Sequence, residues 1–167
     1  KRPIASPIDL TKKDRARIKA LAADEGIALC AVESMSNFAS RYMEERENNL
    51  AMMRAVLELA SDLDVNIVKV FAAWPGLVND EEAIASYAPY DRGNYYKRLY
   101  SADLRKWHRA VAGIREVADW ADDMGITLVL QNHAPVLTPG YEDVLAMTRE
   151  VDRKNVKICL DVPLFYD

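Results

Sequence analysis

Four short apolar runs alternate with longer segments whose apolar residues recur every three or four positions. No other feature constrains the fold of this chain as tightly. The runs cover residues 27–32, 66–72, 126–133 and 156–161. Each is too short for a helix and, apart from isolated polar positions and its polar end, apolar, the pattern of a strand covered on both faces. The first helical segment has Thr11 and Asp14 in a capping arrangement, Ile18, Leu21 and Ala22 at helical spacing, and Gly26 as its stop. A second begins near Met43 and carries Leu50, Met53, Leu57 and Ala60 as its stripe, widened by Met52, Val56 and Leu59. A third repeats Leu104, Trp107, Val111, Ile114, Ala118 and Ala121 before Gly125. A fourth, shorter one turns Val144, Met147 and Val151 inward and ends at the Lys154-Asn155 turn. Strands alternating with helices of this length predict βαβ units, a parallel sheet and right-handed crossovers.

One long irregular stretch interrupts the alternation, from Trp74 to about Tyr100. It holds Pro75, Gly76, Pro89, Gly93, five tyrosines (Tyr87, Tyr90, Tyr95, Tyr96, Tyr100) and the acidic run Asp80-Glu81-Glu82. Its aromatic content favours an ordered lid or packing arm over a solvated linker. The 167 residues suffice for one domain, 1–167, with no internal repeat and no visible boundary. The pattern starts on a helix and stops just after a strand, which leaves a four-strand sheet with open edges. The expectation is therefore the interior part of a larger α/β domain, incomplete at both ends.

Composition narrows the partners. A net charge of −4 and a pI near 5.3 lack the basic excess that a nucleic-acid groove needs, so a small molecule is the expected partner. No apolar run approaches the roughly 20 residues of a membrane span, and no apolar segment follows the basic N-terminal residues as in a signal peptide. A cytoplasmic protein is expected. The two cysteines, Cys30 and Cys159, lie inside apolar runs, are expected to be buried core residues, and form no CxxC motif.

In parallel α/β folds ligands bind at the carboxyl ends of the strands. The polar residues there are Glu33, Gln131, Asn132, His133 and Asp161. Because side chains alternate along a strand, Gln131 and His133 share a face and Asn132 points away. Adjacent strands lie roughly 4.8 Å apart, so Gln131 and Asp161 on neighbouring strands would bring their oxygens to one cation. Oxygen donors suit Mg²⁺ or Mn²⁺, and an added histidine extends the choice to Co²⁺ or Zn²⁺. The same residue types also serve as caps and turn formers, and a histidine there is as often a satisfied hydrogen-bonding group as a ligand.

The segments Gly125-Ile126-Thr127-Leu128-Val129-Leu130-Gln131-Asn132-His133 and Lys157-Ile158-Cys159-Leu160-Asp161-Val162-Pro163-Leu164 resemble the central part of the xylose isomerase-like TIM-barrel proteins, the sugar and sugar-phosphate isomerases and epimerases. The helix with Trp107 and Arg115-Glu116-Val117-Ala118-Asp119-Trp120-Ala121 is similar to the one before that family's fourth strand, and Val68-Lys69-Val70-Phe71 resembles its third. The resemblance implies strands two to five of an eight-stranded barrel. It also implies a divalent ion held by a Glu ending strand four, an Asp ending strand five, a His from strand six and a Glu from strand eight. Gln131 stands at the first position and Asp161 at the second; the other two have no counterpart in this chain. His133 falls where the family often has a histidine near metal or substrate. The implied activity is isomerisation or epimerisation, in which carboxylates shuttle a proton beside a carbonyl and the metal stabilises the enediolate. Gln131 departs from that pattern, because an amide binds and orients but is no general base.

Other candidates for this site are Glu33 as a catalytic carboxylate, Lys69 as an anion or carbonyl partner, and Trp74 as a stacking surface for a sugar. Each has a plain structural alternative: a salt bridge for Glu33 and Lys69, simple packing for Trp74. His108, on a helix flank, is expected to face solvent. A dehydratase or an endonuclease IV-like enzyme shares the fold, although two histidines are few for the latter. The alternative from another class is a non-catalytic, sugar-binding barrel module or one that functions as a homo-oligomer.

Overall fold

The computed structural model describes residues 6–74, 104–133, 137–138 and 140–161. The long tyrosine-bearing stretch expected to form a lid lies, beyond Trp74, outside them. The first helix, α1 (Lys12–Asp24), starts where its cap predicts: the Thr11 hydroxyl accepts from the Asp14 backbone N–H at 3.2 Å, and the Asp14 carboxylate accepts the Thr11 N–H at 3.0 Å. Then follow β1 (Val32–Glu33), α2 (Met43–Asp62), β2 (Ile67–Val70), α3 (Leu104–Asp123), β3 (Thr127–Gln131), α4 (Tyr141–Val151) and β4 (Val156–Cys159). Gly26 and Gly125 follow α1 and α3 with φ of +67° and +68°, a left-handed conformation that glycine takes without a Cβ penalty.

All neighbouring strands are parallel and the sheet order is β1-β2-β3-β4. Strands in strict chain order build one wall of a barrel; a doubly wound sheet would reverse direction at a switch point. Val68, Val70, Leu128 and Leu130 are fully buried and form one core with Met53, Val56 and Leu57 of α2, Ile114 and Val117 of α3, and Val144 and Met147 of α4. Glu33, Lys69, Val129 and Lys157 align in register and, by the alternation of side chains, occupy the opposite face of the sheet. No described helix is long and apolar enough to cross a membrane.

Four expectations need correction. The strand expected at 27–32 is reduced to Val32–Glu33, with Ile27 and Cys30 exposed. Among the described residues β1 pairs with β2 alone, so residues 27–31 have no ladder to hold them. Cys159 is likewise only half-buried. On α1, Ile18 and Leu21 are exposed, and the buried residue is Arg15. Its guanidinium donates at 2.8 Å to both Asp62 and the Pro7 carbonyl, anchoring α1 through charge where an apolar stripe was expected. Leu104, the first residue of the α3 stripe, is also exposed.

Polar groups fix the approach to the last two strands. Asn155, in the turn before β4, donates its amide to the carbonyls of Ala118 at 2.7 Å and Ile126 at 3.3 Å, tying the end of α3 and the starts of β3 and β4 together. The Arg153 guanidinium grips Asp119 of α3 and holds that carboxyl below the usual carboxylate range.

Gly113 marks a close approach. A Cβ there would lie 2.9 Å from Cδ1 of the buried Phe38, which packs over α3 from the segment following β1. At an open helical position Gly→Ala stabilises by about 1 kcal/mol. Here the overlap with an immobile ring outweighs that gain, and Gly113→Ala should cost roughly 1–2 kcal/mol net. A lowered urea midpoint checks this; an unchanged or raised midpoint would show that Phe38 moves aside freely.

Candidate functional site

β3 and β4 finish side by side, with Gln131 opposite Cys159, so Asp161, two residues beyond Cys159, stands just past Gln131 at the sheet's carboxyl rim. At that rim Gln131 Nε2 donates to Asp161 Oδ2 at 2.7 Å. Gln131 is buried, and its Oε1 has no hydrogen-bond partner among the described residues. A buried carbonyl oxygen without a donor costs about 1–3 kcal/mol, so an orphan at a strand end signals a ligand-facing group.

Asn132 makes this meeting possible. It is fully buried; its Nδ2 donates to the Asp161 carbonyl at 3.2 Å, and its Oδ1 accepts the Asp161 N–H at 2.8 Å. The amide thus reproduces a backbone ladder pair one step past the end of β4. Asn132, a candidate substrate-binding residue, uses its amide oxygen and one amide hydrogen to place Asp161. Thr138 closes the turn behind it: its hydroxyl donates to the Gln131 carbonyl at 3.4 Å, and the His133 N–H donates to the Thr138 carbonyl at 3.2 Å.

Toward β2 the rim is aromatic. Phe71 lies 4.9 Å from Trp74, and His133 stands edge-on to both rings, at 5.8 Å from Phe71 and 5.3 Å from Trp74. His133 Nδ1 is buried without a partner among the described residues, a second orphan on this rim. Ser36 holds this side as Asn132 holds the other. Its hydroxyl donates to the Phe71 carbonyl at 2.8 Å and accepts the Phe71 N–H at 2.9 Å. Lower on the same face Lys69 pairs with Glu33 at 2.7 Å, with its ammonium 4.9 Å from the Phe71 ring centre.

The sequence-derived candidates therefore form two groups. Gln131, Asp161, His133 and Trp74 gather at the rim, with Gln131 bonded to Asp161 and His133 against Trp74. Glu33 and Lys69 form an ion pair in the strand layer beneath. Phe71, Ser36 and Thr138 were missed. Phe71 was detectable as the residue two beyond Lys69, on the same face; Ser36 and Thr138 act through irregular segments with no periodicity to mark them. His108 is exposed and faces Glu150 at 3.6 Å, away from the rim.

The donor set fits part of a divalent centre. Gln131 Oε1 and the Asp161 carboxylate are hard oxygen donors of the kind Mg²⁺ and Mn²⁺ take. Among the described residues no group of three or more His, Cys, Asp or Glu side chains is placed to hold a metal. The pair could therefore supply only part of a coordination sphere.

If Asn132 places Asp161, Asn132→Ala should leave the Asp161 N–H and carbonyl without their partners and cost about 1–3 kcal/mol. Chemical denaturation should show a lowered midpoint with an unchanged slope. Wild-type stability would mean that the β3–β4 rim is held by other contacts.

Comparison with known proteins agrees with this architecture. The profile of the xylose isomerase-like TIM barrel family matches residues 2–166. The chain is 30% identical over 158 residues to the D-psicose 3-epimerase of Agrobacterium fabrum, covering 87% of this chain and 47% of that protein. In structure it resembles L-ribulose 3-epimerase, with a TM-score of 0.70 at 20% identity over 96% of this chain and 49% of the other. It also resembles a xylose isomerase-like TIM barrel protein from Mycobacterium smegmatis solved in complex with magnesium, with a TM-score of 0.62 at 21% identity over 89% and 46% of the two chains. The chain thus spans about half the length of the relatives it matches. It belongs to the xylose isomerase-like TIM barrel family.

Proposed function

We propose that the full-length protein is a divalent-metal-dependent isomerase or epimerase of a ketose-type sugar, exchanging the proton on the carbon beside the carbonyl. The observation that carries this reading is the meeting of Gln131 and Asp161 at the ends of adjacent strands, with one buried oxygen left over. The relatives support it. The names D-psicose 3-epimerase and L-ribulose 3-epimerase both describe inversion next to the carbonyl of a 2-ketose.

In this reading Gln131 Oε1 and the Asp161 carboxylate hold the ion together with residues outside the described ones. The ion supplies Lewis acidity, which lowers the cost of negative charge on the sugar oxygens as the proton leaves. Asp161 brings the only formal charge of the pair, and Asn132 sets its position. Phe71, Trp74 and His133 form an apolar wall against which the C–H face of a sugar packs. His133 Nδ1 gives or takes a hydrogen bond at a hydroxyl. Lys69 already has Glu33 as its counter-ion, which favours an unphosphorylated sugar over a sugar phosphate. Gln131 takes up no proton at neutral pH, and Glu33 is held by Lys69. The proton-transferring groups thus belong to the rest of the barrel.

The test is proton exchange. The full-length protein with Mn²⁺ or Mg²⁺ should convert a 2-ketohexose or 2-ketopentose to its isomer or epimer in D₂O, with one deuterium at the carbon attacked. Asp161→Ala should lower kcat/KM by at least about 100-fold. Binding of the sugars without deuterium incorporation under either metal would instead identify a binding module that has lost catalysis along with the carboxylate at position 131.

A further inference from the structure

Two carboxylates at the ends of adjacent strands repel one another until a cation or a proton lies between them. In this chain the contact is an amide donating to a carboxylate at 2.7 Å, and it needs neither. Gln131 is buried, its Nε2 faces Asp161 Oδ2, and among the described residues its Oε1 has no partner. We propose that Gln131 is a positioning residue that replaces the cation in assembling the site: its N–H holds Asp161 in the ligand-binding geometry in the metal-free protein, and its free oxygen keeps one coordination position open. This deepens the reading of Gln131 and Asp161 as the described half of a cation site and rests on it.

Charge and geometry both support the assignment. Asn132 fixes the backbone of Asp161 on both its N–H and its carbonyl, which holds its Cα beside position 131 and leaves side-chain rotation as the carboxylate's one way to retreat. Whatever stands at 131 must therefore be compatible with a negative charge at hydrogen-bonding distance. An amide meets that condition with neither ion nor proton; a carboxylate meets it only with one of them. The neutral residue brings less charge to a metal, so affinity is lower while the empty site is ordered. A glutamate would reverse both properties.

The experiment uses the full-length protein as wild type and two variants, melted at neutral pH in EDTA and in millimolar Mn²⁺. In EDTA, Gln131→Glu should melt roughly 5 °C or more below wild type. Mn²⁺ should raise the melting temperature of Gln131→Glu by more than it raises that of wild type, since an ion that binds the folded state more tightly stabilises it more at equal concentration. The double variant Gln131→Glu/Asp161→Asn exchanges the amide and the carboxylate and restores the hydrogen bond. It should return to within about 2 °C of wild type in EDTA, the coupling that a double-mutant cycle isolates. If Gln131→Glu does not fold in EDTA, recovery of folding in the double variant supports the proposal, and failure of both overturns it. Wild-type melting of Gln131→Glu in EDTA, or no recovery in the double variant, also overturns it. Turnover enters none of these measurements, so they can fail while the proposed activity stands, and succeed where it is absent.

Discussion

The rim of the sheet depends on one substitution of side chain for backbone, the Asn132 amide paired with the main chain of Asp161. β4 ends as a regular strand at Cys159, and the ladder would otherwise leave Asp161 to the following loop. By supplying a donor and an acceptor at the correct spacing, Asn132 extends the β3–β4 pairing to the residue that carries the charge. Because side chains alternate across the sheet, an asparagine facing away from the site is the neighbour best placed to organise it. The Gln131–Asp161 contact follows from that placement.

β1 and β2 are finished by the same means. Ser36 bonds to both the N–H and the carbonyl of Phe71, just past the end of β2, and the Trp74 N–H donates to the Ser36 carbonyl at 2.8 Å. This sets Phe71 and Trp74 against His133 across the β2–β3 boundary. Strand ends in parallel sheets leave main-chain groups unpaired where a ligand must approach, so short polar side chains that satisfy them without blocking the opening are a physical necessity. Beneath the rim, Lys69 and Glu33 neutralise each other on a face that would otherwise carry isolated charges.

The fold was legible because helical periodicity and continuous apolar runs are local signals. The α2 and α4 stripes and, apart from Leu104, the α3 stripe turned inward as read, and β2, β3 and β4 lie inside their predicted runs. The misreadings occurred where burial depends on neighbours. The run at 27–32 is as apolar as the others, yet pairing, which no local pattern reports, decides that only its end is strand. Exposed Ile18 and Leu21 show the same limit on α1, whose anchor is the long-range Arg15–Asp62 contact. At the site, Gln131 and Asp161 were legible as strand-end residues. The role of Asn132 was not, because its partner is a backbone thirty residues away in an irregular segment.

The site pairs a charged residue with a neutral one, and the geometry explains how it stays ordered. Asp161 supplies the charge and Gln131 a neutral oxygen, while the aromatic wall and His133 supply the surface a sugar would meet. The central claim is that this rim is one half of a cation site in the complete barrel. Anomalous diffraction from crystals of the full-length protein grown with Mn²⁺ tests it most directly. The account predicts a manganese peak within bonding distance of both Gln131 Oε1 and an Asp161 carboxylate oxygen. A well-ordered rim with no peak there, in crystals that bind manganese elsewhere, would contradict it.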